Sequence, residues 1–207
     1  MSEYSLYTKN EINVADFTEK QVNIITAAIE LIAEKGIQQL TIKNLSKKIG
    51  TAEGAIYRHF DSKFEILLGI LKLFRQNKDE TLRSLIAKEP SSLQKLESLL
   101  SARFRQFSTN PAIAAVIFSE EIFQNEKPLA NEVYEIMKES QKAIETIILK
   151  GQSEKQLRED ISAEQLTLLI TGALRLLVTK WRLSNFSFDL QIEGQKLWKS
   201  IFKIVSE

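Results

Sequence analysis

The residue types best suited to chemistry in this chain are concentrated within residues 41–63. Five basic side chains lie there: Lys43, Lys47, Lys48, Arg58 and Lys63. Only Glu53 and Asp61 oppose them, so the local balance is +5 − 2 = +3, whereas the whole chain carries +1. Cations at this density suit a phosphate backbone, because each neutralised phosphate releases counterions. Tyr57 and His59, the only histidine of the chain, add hydrogen-bonding groups that suit phosphate oxygens.

Two short helices are predicted to position these groups. In the first, Ile42, Leu45 and Ile49 recur at i, i+3 and i+7, which forms one apolar helical stripe. Thr41 stands where an N-cap belongs. Gly50 stands where a helix commonly ends in a left-handed residue. The spacing therefore predicts a helix of about two turns followed by a tight turn.

The second helix is predicted to begin at residue 52 or 53 and to reach only residue 59 or 60. Ile56 and Phe60, four residues apart, form its apolar face. Small residues let the start of a helix enter a major groove about 12 Å wide. Those at this start are Thr51, Ala52, Gly54 and Ala55. Two helices of this length joined by a short turn are typical of a helix-turn-helix.

This stretch resembles the DNA-binding motif of the TetR/AcrR family of bacterial one-component repressors. The matching residues are Thr41, Ile42, Leu45, Ile49 and Gly50, then Gly54, Ala55, Ile56, Tyr57, Arg58, His59 and Phe60, then Ser62 and Lys63. The resemblance is sharp over residues 18–68 and beyond them extends to length and helical layout. Ala52 and Glu53 depart from the serine and lysine that family members often carry. Ala52 cannot cap the second helix with its side chain, and the acidic Glu53 argues against a phosphate contact at that position.

The resemblance implies that the motif binds double-stranded DNA. The predicted DNA-contacting residues are Thr41, Lys43, Thr51, Ala52, Glu53, Gly54, Ala55, Tyr57, Arg58, His59 and Lys63. Among them, Arg58 is the best donor for a guanine edge. A cation at the start of a helix opposes the helix dipole, so Lys63 indicates a nearby anion.

Several of these residues also have a simpler interpretation. Tyr57 either reaches a phosphate or closes the small core of the head. His59 either contacts a phosphate or lies on the surface, and a metal or catalytic role would need a cysteine or second histidine that the chain lacks. Lys63 is otherwise a solvated lysine. Lys47 and Lys48 fit a solvated face better than base reading.

Composition narrows the class of protein. The chain has 207 residues, 43% of them hydrophobic and 27% charged, enough for one large domain or two smaller ones. There is no cysteine, which excludes disulfides and thiolate metal sites and fits the cytoplasm. The most apolar run, residues 166–178, is interrupted by Thr171, Gly172 and Arg175, so no membrane span is predicted. A net charge near zero argues against adhesion of the whole chain to membranes.

Helix signals continue along the rest of the chain, and no strand signal interrupts them. Four S/T-x-x-E/Q capping boxes begin at Thr18, Ser62, Ser91 and Ser162. Further helices are predicted over residues 112–123, over 129–150 with Gly151 as the terminator, and over 190–205. The fold is therefore predicted to be all-α, with about nine helices.

These helices divide into a head and a body. Residues 1–67 are predicted to form a three-helix bundle that contains the helix-turn-helix, after a loose arm over residues 1–16. Residues 68–207 are predicted to form a larger helical domain for ligand binding and dimerisation. The helix that begins at Ser62 follows the second motif helix almost without a linker, so tilting its far end should move the DNA-reading helix.

The body carries aromatic and cationic side chains that suit a cavity between helices. The predicted ligand-binding residues are Arg103, Phe104, Phe107, Phe118, Arg175 and Trp181. The resemblance implies a small effector there, and an apolar lining indicates a lipophilic one. The alternative for the aromatic residues is that they only fill a core. The alternative for each arginine is a structural pair or a place on the surface.

The last two helices are apolar over wide arcs. The arc of the first contains Leu166, Leu169, Ile170, Ala173, Leu174, Leu177 and Trp181, and that of the second contains Leu190, Leu197, Trp198, Ile201, Phe202 and Val205. Such helices are buried on both sides, so a second copy of the chain is expected to cover them, with Gly172 permitting close approach. A two-fold homodimer would present two heads to half-sites one DNA turn, or multiples of it, apart.

The sequence thus predicts a homodimeric transcription regulator, a repressor that a small lipophilic effector releases from a palindromic operator. The alternative is a DNA-bound protein whose body docks another protein and binds no small ligand. An enzyme is not expected, because the sequence offers no constellation of nucleophile, base and metal ligands. Neither a cofactor nor a metal is expected.

Overall fold

The computed structural model describes residues 17–88, 90–119 and 126–206, and the predicted arm over residues 1–16 lies outside these ranges. The helices are α1 (Glu19–Lys35), α2 (Ile42–Ile49), α3 (Glu53–Tyr57), α4 (Lys63–Lys88), α5 (Ser92–Thr109), α6 (Pro111–Ile117), α7 (Lys127–Ser153), α8 (Ala163–Leu183) and α9 (Leu190–Val205). A short 3-10 segment, Ile37–Gln39, follows α1. The described ranges contain no strand, so the predicted all-α fold is confirmed. None of their helices is long and apolar enough to cross a membrane.

All four predicted capping residues accept a hydrogen bond from the backbone amide three residues on. The bonds run from Gln21 N to Thr18 Oγ1 (3.3 Å), from Glu65 N to Ser62 Oγ (3.3 Å), from Gln94 N to Ser91 Oγ (3.2 Å) and from Gln165 N to Ser162 Oγ (3.2 Å). Each bond satisfies one of the amides that a helix leaves without a partner at its start. Local sequence therefore sets where α1, α4, α5 and α8 begin.

The chain forms two compact units, Met1–Lys78 with Thr109–Tyr134 and Asp79–Ser108 with Glu135–Glu207. In the first unit, α2, α6 and the 3-10 segment all pack against α1. The buried stripe of α1 consists of Ile24, Ile25, Ala28, Ile29, Leu31 and Ile32. Helix α6 therefore shares a unit with the helix-turn-helix, although the chain reaches α6 only after α5. The functional boundary between residues 67 and 68 stays a prediction.

In the second unit, α8 and α9 pack against each other. Their buried side chains include Leu166, Ile170, Val178 and Trp181 from α8 and Leu190, Trp198, Ile201 and Val205 from α9. Gly194 of α9 lies against the Phe104 ring so closely that a Cβ there would be 2.6 Å from Phe104 Cγ. Since real Cβ atoms do not approach that closely, only glycine permits this packing of the aromatic ring on the helix backbone.

Gly151 does not end its helix, and the prediction that it would is wrong. Helix α7 runs through Gly151 to Ser153. A Cβ at Gly151 would lie 2.7 Å from Leu157 Cγ and 2.8 Å from Ser92 Cβ. The glycine is therefore required by a close contact between segments, which local sequence does not reveal, and not by a left-handed turn.

Helix α6 ends at Ile117, earlier than the helix predicted over residues 112–123, and residues 120–123 of that prediction lie outside the described ranges. The Ser119 amide bonds to the Val116 carbonyl at 3.2 Å, as in a tighter 3-10 turn. The Ser119 hydroxyl also donates to the Ala115 carbonyl. A serine hydroxyl that competes for a helix carbonyl favours a helix end over continuation.

Candidate nucleic-acid interface

Helix α2 is held by a cap, an apolar stripe and a glycine turn. Thr41 Oγ1 accepts the amide three residues on at 3.1 Å. Ile42 and Leu45 are buried, whereas Ile49 at the end of the stripe remains partly exposed. Gly50 adopts the left-handed conformation, with φ 75° and ψ 35°, as predicted. Glycine adopts this conformation without the steric cost of a Cβ, so the chain can turn directly into α3.

Helix α3 has five residues and begins without a side-chain cap, because Ala52 offers no acceptor. Ile56 is the only one of the five that is buried. The helix ends at Tyr57, so the predicted end at residue 59 or 60 is too late. The amides of His59 and Phe60 both bond to the Ile56 carbonyl, at 2.9 and 3.1 Å, as the chain turns away. A helix this short is not stable alone, so its neighbours must hold it in place.

Most of the predicted DNA-contacting residues face solvent. The exposed ones are Thr41, Lys43, Ala52, Glu53, Gly54, Tyr57, Arg58 and Lys63, and the half-buried ones are Thr51, Ala55 and His59. Tyr57 is 50% exposed, which favours contact with a partner over closure of the head core. The helices that carry these residues, α2 and α3, pack against each other. The contact roles of the individual residues stay predictions.

Lys48 differs from the other cations of the motif because it is bound within the protein. Its Nζ lies 3.2 Å from Glu30 Oε2 and 2.8 Å from Glu34 Oε1, both on α1. Burial lowers the pKa of Lys48, but hydrogen bonds and charges of the two carboxylates outweigh this effect and raise the pKa above its usual 10.5. The raised pKa means that the charged Lys48 contributes stability at neutral pH, and this contribution is lost as the pH rises through the raised pKa. Lys48 thus links α2 to α1 by ion pairs.

Gln21 links α1 to the turn that follows α3. Its Oε1 accepts the Thr18 amide at 2.9 Å, which completes the capping box, and its Nε2 donates to the His59 carbonyl at 3.3 Å. The capping pattern predicts the first bond, whereas nothing local signals a partner 38 residues away. One side-chain amide therefore begins α1 and also positions the end of the recognition segment.

Lys63 is the first residue of α4 and is exposed. Its Nζ lies 5.1 Å from the centroid of the Phe64 ring. The turn before it is held by Glu65, whose carboxylate accepts the Asp61 amide at 2.6 Å. The Lys63 ammonium thus stands on a fixed helix start, close in sequence to α3.

The predicted ligand-binding residues are divided between the two units. Phe118, half-buried at the end of α6, belongs to the first unit, and the other five belong to the second. The buried aromatic residues of the second unit are Phe104, Phe107 and Trp181. Arg103 is also buried and donates from Nη1 to Gln106 Oε1 at 2.8 Å. Arg175 is half-buried, with Nη1 3.8 Å from the sulfur of Met137.

An apolar face remains exposed on α8 and α9 of the single chain. Its residues are Leu168, Leu169, Leu176 and Leu183 on α8 and Ile192, Phe202 and Ile204 on α9. Gly172 lies on the exposed side of α8, and a Cβ there would meet nothing within 4 Å in this chain. The chain itself covers most of both predicted arcs, of which Leu169 and Phe202 remain exposed. The other exposed apolar residues of this face lie outside the predicted arcs: Leu168, Leu176, Leu183, Ile192 and Ile204.

Two family models match this chain. Residues 24–70 match the model described as bacterial regulatory proteins, tetR family. Residues 76–205, more than half of the chain, match the model described as YsiA-like protein, C-terminal region. The first match contains the whole helix-turn-helix, and the second contains α5 to α9.

Individual relatives agree with these matches. The fatty acid metabolism regulator protein of Bacillus subtilis (strain 168) is 26% identical over 171 residues, 83% of this chain and 88% of that protein. The nucleoid occlusion factor SlmA of Alteromonas mediterranea is 22% identical over 171 residues, 82% of this chain and 84% of that protein.

Solved structures share the fold. The fatty acid degradation regulator FadR from Bacillus halodurans has a TM-score of 0.78 and 23% identity, and the match covers 89% of this chain and 95% of that one. FadR from Bacillus subtilis, solved in complex with stearoyl-CoA, has a TM-score of 0.75 and 24% identity, with 87% and 96% covered. At these identities the likeness shows the architecture.

Replacing Lys63 tests whether its ammonium contacts a phosphate. We expect Lys63→Ala to weaken binding to all DNA sequences equally and to reduce the slope of log affinity against log salt by about one. Lys48→Ala is the matched control, because Glu30 and Glu34 hold that ammonium. The control should lower the melting temperature and leave the slope unchanged. Fluorescence titrations at several salt concentrations measure both, and equal slopes for Lys63→Ala and the unchanged chain would contradict the assignment.

Replacing Gln21 tests whether its amide positions α3. Gln21→Glu keeps an acceptor for the capping box but removes the N–H that the His59 carbonyl accepts. We expect DNA affinity to fall roughly fivefold, since one hydrogen bond contributes about 1 kcal/mol. Gln94→Glu makes the same change in the capping box of α5 and should leave affinity unaltered. Anisotropy titrations at two salt concentrations separate the effect of the lost hydrogen bond from that of the added charge. If the two variants bind DNA with equal affinity at high salt, the Gln21 amide does not position α3.

Proposed function

The chain belongs to the TetR family of bacterial regulatory proteins, and from that premise we propose that it is a transcription repressor. In this proposal it binds a palindromic operator as a homodimer and is released by a lipophilic effector. The observation that carries the proposal is the helix-turn-helix of α2 and α3. Lys43 on α2, Arg58 directly after α3 and Lys63 at the start of α4 are exposed, whereas Lys48 is held by α1.

DNA binding by this surface follows from its chemistry. Cations around the motif neutralise phosphates, and the exposed groups of α3 can reach base edges in the major groove. Phosphate contacts fix the register of a protein on the duplex, whereas base contacts select the sequence. We assign Lys43 and Lys63 to the first role and Arg58 to the second.

Dimerisation is supported by the exposed leucines of α8. Leu168, Leu169 and Leu176 are each more than half exposed, which is unusual for three large apolar residues on one helix. Gly172 lies among them without a neighbour in its own chain. A second copy packed there by two-fold symmetry would bury this face and set the spacing of two heads.

For the effector we propose a long-chain fatty acyl thioester. The relative from Bacillus subtilis is named a fatty acid metabolism regulator, and its structural counterpart was solved with stearoyl-CoA. In this chain, Phe104, Phe107 and Trp181 offer apolar surface for an acyl chain. Arg103 and Arg175 are the cations of that unit that we assign to anionic groups of the ligand.

Release of DNA requires that the effector favour a head arrangement that fits the operator poorly. The packing of α6 on α1 suggests how the first unit would respond. Displacement of α6 would act on α1 directly, and Gln21 of α1 holds the carbonyl that follows the recognition helix. This route runs beside the one predicted through α4, which begins directly after the motif.

A second candidate function is DNA binding combined with docking of another protein, without a small ligand. Relatives named nucleoid occlusion factor SlmA cover most of this chain. Leu149 on α7 is an exposed apolar residue of the second unit outside the α8–α9 face and would suit such a partner.

Replacing Leu176 tests the dimer. Leu176→Glu places a carboxylate in the proposed dry seam, where an uncompensated charge costs about 3–5 kcal/mol. We expect a folded monomer by light scattering and circular dichroism. Lys142→Glu, at an exposed residue of α7 outside the α8–α9 face, is the control and should stay dimeric. Trp198 is a poorer probe because it is buried against Phe202 within the chain. An intact Leu176→Glu dimer would place the interface elsewhere.

Thermal shift with stearoyl-CoA tests the effector. Because it binds only the folded state, we expect about 5–10 °C of stabilisation at 100 times Kd. The same concentration should release operator DNA in an anisotropy assay. Coenzyme A alone is the control for the nucleotide part. Arg175→Gln should weaken stearoyl-CoA while leaving an uncharged lipophile unaffected. If no acyl thioester or other lipophile shifts the melting curve, the protein-docking function is favoured.

A further inference from the structure

The helix-turn-helix carries an acidic side chain at the start of its recognition helix. Glu53 is the first residue of α3 and is exposed. Three other acids of this unit are engaged, since Glu30 and Glu34 bind Lys48 and Glu65 accepts the Asp61 amide. Within the described ranges, the Glu53 carboxylate makes no hydrogen bond or ion pair. Its charge favours the start of a helix, but no side chain or amide in the described part of the fold binds it.

The neighbours of Glu53 are small, so its side chain stands clear of them. Ala52 and Gly54 are exposed, and Ala55 is half-buried. A Cβ added at Gly54 would meet nothing within 4 Å, so no side chain walls off this part of α3. Glu53 is thus the one long side chain at the helix start, and it would enter the groove ahead of its neighbours.

A carboxylate on a DNA-binding surface weakens binding unless it meets a hydrogen-bond donor, because phosphates repel it. In the major groove, cytosine N4 and adenine N6 are donors. Adenine also presents the N7 acceptor beside N6, which opposes the second carboxylate oxygen of a glutamate. Cytosine presents its amino group without such an acceptor on the same base, so a carboxylate favours cytosine.

We propose that Glu53 reads a cytosine in each operator half-site and thereby determines the specificity of this repressor at that base pair. The inference rests on the proposed binding of DNA by α2 and α3. It assigns Glu53 to a base and not to a phosphate, because phosphates repel a carboxylate. Glu53 at the start of α3 and Arg58 directly after its end would then read bases of opposite hydrogen-bonding chemistry, the cytosine amino donor and the guanine acceptors.

The test is selection of binding sites from random double-stranded DNA with three full-length chains: the unchanged protein, Glu53→Gln and Asp61→Asn. Glutamine bonds to adenine N6 and N7 together. We therefore expect Glu53→Gln to lose a cytosine preference of roughly tenfold at one position per half-site and to prefer adenine there. Asp61 is an exposed acid in the same segment, so Asp61→Asn removes the same charge without touching a base.

Both variants should bind nonspecific DNA more tightly, because each removes one repulsive charge. Only Glu53→Gln should change the selected base, and Asp61→Asn should return the unchanged motif. The proposal is overturned if Glu53→Gln selects the same base with the same strength, or if the unchanged protein shows no cytosine preference in its half-site. If the unchanged protein enriches no sequence at all, the proposed operator binding fails, and this inference fails with it.

Discussion

The burial of Ile56 is the constraint on which the recognition surface depends. Helix α3 has too few residues to be stable alone, and Ile56 is the only one of them that is buried. The exposed side of α3 is therefore oriented through this side chain, the Gly50 turn before it, and the His59 carbonyl and the buried Phe60 after it. A helix that carries so little of its own stability can present small and charged residues freely, because none of them is needed for its folding.

Helix α1 supports that arrangement through its packing and its polar side chains. It contacts α2, the 3-10 segment and α6, and its polar side chains reach the recognition elements at two points. Glu30 and Glu34 hold Lys48 of α2, and Gln21 holds the carbonyl of His59. Because α1 forms the core of the first unit and also supports its binding surface, it couples the core to that surface. We therefore expect a change in the packing of α6 to reach α3 through α1.

The charged residues of the motif differ in whether they have a partner within the fold, and their number along the sequence does not show this difference. Lys48 is neutralised by α1, whereas Lys43 and Lys63 are exposed. Among the acids, Glu65 serves a turn, while Glu53 serves no contact in the described chain. A count of basic residues along the sequence cannot make this distinction. Only the charged side chains that the fold does not pair internally are available to bind a partner.

The sequence by itself determined the features whose causes are local. N-cap hydroxyls set the starts of four helices, Gly50 set the turn of the motif, and apolar spacing set the helical faces, because each involves residues within one or two helical turns. Tertiary structure decided the rest. It placed glycine at 151 and 194 for close packing, joined α6 to the unit of α1, and gave Lys48 and Gln21 partners 14 and 38 residues away. Those contacts depend on how helices meet, and no local spacing encodes which distant surface a side chain will reach.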